Sequence, residues 1–143
     1  QYLPPRMAYS FGTKIARLWP GAQRLLLGHA ERIVDLRFFP GGDRLLVVGA
    51  MGQSAVWDVR SARVLVRAWQ PAMFMYEAQI FPDGERVVAV GSEQMAVIWH
   101  AATGQVLQML QFRGVCGEHR SVRVLVDDRI VTGGSYDAVD EAV

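Results

Sequence analysis

The chain has 143 residues, 51% of them hydrophobic and 20% charged, and a formal net charge of +1. That length suffices for one domain with a real core, and so apolar a chain with so little net charge is not intrinsically disordered. An Arg, Asp or Glu interrupts every promising apolar run before the roughly 20 residues of a membrane span, and residues 1–6 carry no basic region leading into an apolar core.

Taken in order, the elements repeat. Ile15-Ala16-Arg17-Leu18-Trp19 reads as the closing strand of a first unit. Residues 32–38 alternate partly between apolar and polar, which predicts a strand with one face more buried than the other. Pro40-Gly41-Gly42-Asp43 follows as a tight turn, in which proline presets φ and glycine accepts a positive φ. Residues 44–49 contain the run Leu45-Leu46-Val47-Val48, the pattern of a strand covered on both faces. A third strand ends at Trp57, and a turn at residues 61–63 leads to a fourth over 64–68. The same order returns 42 residues later, with Phe81-Pro82-Asp83-Gly84 for Phe39-Pro40-Gly41-Gly42 and Trp99 for Trp57, then Thr103-Gly104-Gln105 and a strand over 106–110. A last copy opens at Ser121-Val122-Arg123-Val124-Leu125 and reaches Gly133-Gly134-Ser135-Tyr136-Asp137. No stretch carries a helical period with caps, and spacings of 38 and 42 residues match the period of four-stranded propeller blades. The expected fold is all-β.

These residues resemble the WD40 repeat family along almost the whole chain. Gly28-His29 and Trp57-Asp58 are similar to its opening and closing dipeptides, and Thr103-Gly104 to its outer turn. The resemblance implies a β-propeller segment of about three to three and a half four-stranded blades: a blade end over 7–28, blades over 29–70 and 71–113, and an incomplete blade over 114–143. It also implies tetrad-like structural residues at His29, Trp57, Trp99 and Asp137. Departures stand beside them. Met51-Gly52 and Glu93-Gln94 occupy turns where the family carries Asp, and Pro71 stands at a His position, so no blade has the full set. Apolar packing is therefore expected to hold the blades. Because propellers typically carry 4–8 blades, the chain is expected to be part of a longer polypeptide, with ring completion by missing chain or by a second copy as the two routes.

Catalytic constellations are missing. Gly-x-Ser-x-Gly fails at Asp137, no His-Glu-x-x-His occurs, and His29, His100 and His119 stand apart. Cys116-Gly117-Glu118-His119 has no second cysteine to complete a zinc site and reads as a loop, and Asp127-Asp128 reads as a solvated turn. No metal, cofactor or catalytic residue is expected. Fourteen arginines and Lys14 are scattered, so nucleic acid is not the default partner, and no membrane partner is expected. Quinone-dependent propeller enzymes place a Trp shortly after Thr-Gly, whereas here Gln105-Val106-Leu107-Gln108 follows. The runner-up is such an enzymatic propeller, or the regulatory part of a larger enzyme.

Propeller function lies on rim loops, since strands are committed to packing. The expectation is a non-catalytic scaffold docking proteins or peptides through Arg32, Met51, Met73, Phe74, Met95, His119 and Tyr136. Residues 71–76, Pro-Ala-Met-Phe-Met-Tyr, are unusually apolar for such a loop. Filling of the gap left by the missing Gly-His is the competing reading, favoured for Met75 and evenly weighed for Met73 and Phe74. One cysteine and no disulfide point to an intracellular site, chiefly the cytoplasm, with the nucleus as the alternative.

Overall fold

The computed structural model describes residues 8–10, 13–15, 32–69, 74–112 and 118–134. Twelve strands and no helix occur among them. β1 (Ala8–Ser10) and β2 (Thr13–Ile15) form a two-stranded sheet. β3 (Ile33–Phe38), β4 (Arg44–Gly49), β5 (Gln53–Asp58) and β6 (Arg63–Trp69) form a four-stranded antiparallel meander. β7 (Met75–Ile80), β8 (Arg86–Gly91), β9 (Met95–His100) and β10 (Val106–Gln111) form a second one in the same order. β11 (His119–Val124) and β12 (Ile130–Gly134) form a two-stranded antiparallel sheet.

The turn chemistry explains where each first hairpin reverses. The N–H groups of Gly42, Gly84 and Asp128 donate to the carbonyls of Phe39, Phe81 and Leu125 at 3.0, 2.9 and 3.0 Å. All three residues have a positive φ, of 76°, 69° and 64°. Glycine reaches that conformation without strain and aspartate tolerates it, so the third hairpin keeps the turn without a glycine there.

The sheets stack as layers with the first strands at the centre. β7 lies against β3 on one side and β11 on the other. Alternation divides β4 between two cores: Leu45 and Val47 pack with Ile33, Leu36, Ala55 and Trp57, while Leu46 and Val48 pack with Met75, Ala78, Val87, Ala89 and Trp99 of the next sheet. Val88 and Val90 then pack with Val122 of β11. Middle strands covered on both faces account for the unbroken apolar runs, and β6 and β10, outermost in their sheets, are largely exposed.

Polar fastenings accompany this packing. Register pairs Ile33 with Gly49, Met75 with Gly91 and His119 with Gly134, which makes Asp35, Glu77 and Ser121 equivalent. Asp35 Oδ2 accepts the backbone N–H of Ala78 at 3.1 Å, and Glu77 Oε2 accepts that of Val122 at 2.8 Å. Each carboxylate thus reaches the same position on the first strand of the following sheet. Arginines bind the pair together: Arg37 donates to Asp35 at 3.1 Å and to Glu77 at 2.7 Å, and Arg123 donates to Glu77 at 2.7 Å. Near the first hairpins, Arg44 lies 4.3 Å over the Phe39 ring and donates to the Gly84 carbonyl at 3.2 Å. Arg86 lies 4.3 Å over Phe81 and donates to Asp128. Gly84 and Asp128 are the equivalent turn residues, so at both seams an arginine stacks on the hairpin aromatic and bonds the next turn, through a backbone carbonyl at one and a carboxylate at the other.

Candidate docking rim

At the end of the stack opposite those hairpins, the first strands begin and the β4–β5 and β8–β9 turns close. The Ala50 N–H donates to the Arg32 carbonyl, and the Ser92 N–H to the Phe74 carbonyl, both at 2.8 Å. Positions 32 and 74 are therefore equivalent steps on neighbouring sheets. The Met75 N–H donates to the Ala50 carbonyl at 2.9 Å, joining the two sheets at the rim. The Phe74 N–H donates to Ser92 Oγ at 3.0 Å.

Backbone pinned on both sides separates two adjacent side chains. Met75 is 1% exposed and belongs to the core between the sheets, whereas Phe74 is 58% exposed. Met51 is 61% exposed on the β4–β5 turn, beside the Ala50 carbonyl that Met75 engages. Arg32 is exposed where β3 begins. Met95, by contrast, is half-buried and packs against the core, because its register position opposite Gln111 turns it inward. Its place does not match that of Met51, whose equivalent across the 42-residue repeat is Glu93. His119 is 8% exposed rather than displayed: its ring lies 4.4 Å from that of Phe112, tilted by 38°, beside the irregularity between His119 and Ser121. Met73 and Tyr136 lie outside the described residues.

A polar cluster that sequence reasoning missed borders this rim. Arg120 stacks 5.1 Å over the Tyr76 ring and donates to Glu118 at 2.9 Å. The Tyr76 hydroxyl, with Arg120 assisting, holds the Glu118 carboxyl below its ordinary range, and partial burial together with Glu118 raises the Tyr76 hydroxyl. Glu118 precedes β11 as Phe74 precedes β7 and Arg32 precedes β3. Aligning the repeats at that step would have exposed the series.

Of the tetrad-like residues, Trp57 and Trp99 are buried, and neither indole N–H has a partner among the described residues. His29 and Asp137 lie outside the described residues, as does Cys116. Among the described residues, no group of three or more His, Cys, Asp or Glu is placed to hold a metal ion, and no helix is long and apolar enough to cross a membrane.

Stacked four-stranded meanders with neighbouring first strands, each with a buried Trp on its third strand, are the blade arrangement of a WD40-type β-propeller. The C-terminal WD40 domain of Sif2 shares this fold at a TM-score of 0.65 and 13% identity, over 76% of this chain and 32% of that one. The chain thus spans about a third of that domain's chain, and the likeness is one of fold. No protein-family model and no curated protein matches the sequence.

Proposed function

We propose that this chain is a non-catalytic docking scaffold, and that it binds other proteins or peptides on the rim formed by Met51 and Phe74. One observation carries the reading. Phe74 has its carbonyl and N–H both bonded to Ser92, and its neighbour Met75 fills the core, yet its ring stands in solvent. Packing does not require an aromatic there. Aromatic and methionine side chains supply rigid or adaptable contact area at low entropic cost, which is why they anchor interfaces.

Peptide display against the intact chain tests it. Selected peptides should lose about tenfold in affinity, roughly 1.4 kcal/mol, on Phe74→Ala, with the melting temperature unchanged. Selected peptides that bind Phe74→Ala as well as the parent would overturn the reading.

A further inference from the structure

We propose that the rim reads a segment carrying an acidic residue, a large apolar residue and a basic residue in that spatial order; this rests on the docking reading above. Neighbouring blades place different chemistry at equivalent steps. Position 32 is a cation, Arg32, and position 74 is the exposed Phe74. On the turns, the exposed Met51 of one blade has as its equivalent the exposed Glu93 of the next, whose φ is 59°. Among the described residues neither Arg32 nor Glu93 has an ion-pair partner. Glu118 at the following step is already engaged by Arg120 and Tyr76, so Glu93 is the anion left for a ligand.

The rim therefore runs from cation through apolar surface to anion across a single blade seam. Sheets packed face to face stand about 10 Å apart, and an extended chain advances about 3.3 Å per residue. Glu93 is also offset sideways by one to two strands of about 4.8 Å, so an acid and a base about three to four residues apart, with the apolar side chain between them, would meet Arg32, the Met51–Phe74 surface and Glu93 together. A uniformly acidic segment meets Glu93 unfavourably, and a uniformly basic one meets Arg32 unfavourably. Discrimination comes from that repulsion as much as from attraction.

Four capped, fluorescein-labelled hexapeptides provide the test: Ser-Asp-Leu-Ala-Lys-Ser, its two-Asp and two-Lys counterparts, and a version with Ser in place of Leu. Anisotropy titrations at low salt should show the mixed-charge leucine peptide binding at least about fivefold (roughly 1 kcal/mol) tighter than either single-sign peptide. Arg32→Glu should weaken it and favour the two-Lys peptide, while Glu93→Lys should favour the two-Asp peptide. Both positions are exposed, and unchanged melting temperatures will show that the variants fold. If the three leucine peptides bind alike and all depend on Phe74, the charge order is refuted and the docking rim stands. If none binds, or binding ignores Phe74→Ala, the charge order is refuted, and the docking rim then stands or falls with the peptides selected by display.

Discussion

Asp35→Ala tests the fastening between blades. Asp35 is 1% exposed, and its carboxylate accepts the Leu36 N–H at 2.9 Å and the Ala78 N–H at 3.1 Å besides pairing with Arg37. Truncation strips an acceptor from two buried amides, at about 1–3 kcal/mol for each group left unsatisfied. Arg37 keeps Glu77, so the ion-pair loss is partial. A total of about 3–5 kcal/mol follows, which is also what breaking a buried pair costs. At about 3 °C per kcal/mol for a chain of this size, the melting temperature should fall by about 10–15 °C. Asp35→Asn retains one oxygen for the Ala78 N–H and should lose about half as much. Thermal unfolding followed by circular dichroism reads both. An Asp35→Ala shift below about 3 °C would refute the fastening, and equal losses for Ala and Asn would assign it to the Arg37 pair instead of the Ala78 amide.

Glu77 makes the second seam sensitive to acid. Burial alone would raise its carboxyl, but the Val122 N–H, Arg123 and Ser121 outweigh that and hold it below its ordinary value of 4.5. A depressed folded-state value contributes stability that is complete above 4.5 and lost as pH falls through the folded value, so melting temperatures should decline below pH 4.5, and Glu77→Gln should flatten that limb. Phe74→Ala should leave the melting temperature within about 1 °C, whereas Met75→Ala, which opens a cavity in a core residue, should cost about 2–5 kcal/mol; similar losses in parallel melts would show that both residues are packed. Gly104→Ala should destabilise the outer seam by about 1–3 kcal/mol, through strain at a left-handed φ, because φ is +75° and a Cβ there would sit 2.6 Å from the Arg67 carbonyl oxygen. A chemical-denaturation midpoint equal to the parent's would contradict that close approach.

How much of this was legible depended on the distance between interacting residues. The repeat, the turn at Pro40-Gly41-Gly42 and the doubly covered Leu45–Val48 run are local patterns, and each is found where the pattern sets it. Asp35 and Glu77 were not legible, because the amides they accept lie 43 and 45 residues away and only the stacking of blades brings them together. An acid within a half-alternating strand looks like a solvent-facing residue until the neighbouring sheet is in place. His119 and Met95 failed as exposed rim residues for a related reason. Loop proximity suggests exposure, but a register irregularity at β11 and the pairing of β9 with β10 decide which way those side chains turn. Phe74, evenly weighed between core and rim in sequence, and Met75, favoured there as a core residue, are separated by the Met75–Ala50 hydrogen bond that commits one side to the core.

The two classes of contact at each seam have different consequences. Val, Leu and Ala faces gain from burial wherever they meet, and the effect has no direction, so one apolar sheet could slide along another by a strand repeat at modest cost. A carboxylate aimed at one N–H cannot slide. Asp35 to Ala78 and Glu77 to Val122 fix the height of each blade against the next, and Arg44 to Gly84 with Arg86 to Asp128 repeat that constraint at the other end. Rim residues inherit the alignment: Arg32, Phe74 and Glu118 stand at one level because the strands beneath them are held in step. On this reasoning, the polar contacts between blades supply less of the total stability than the apolar cores do, but they determine which side chains a docking partner meets together.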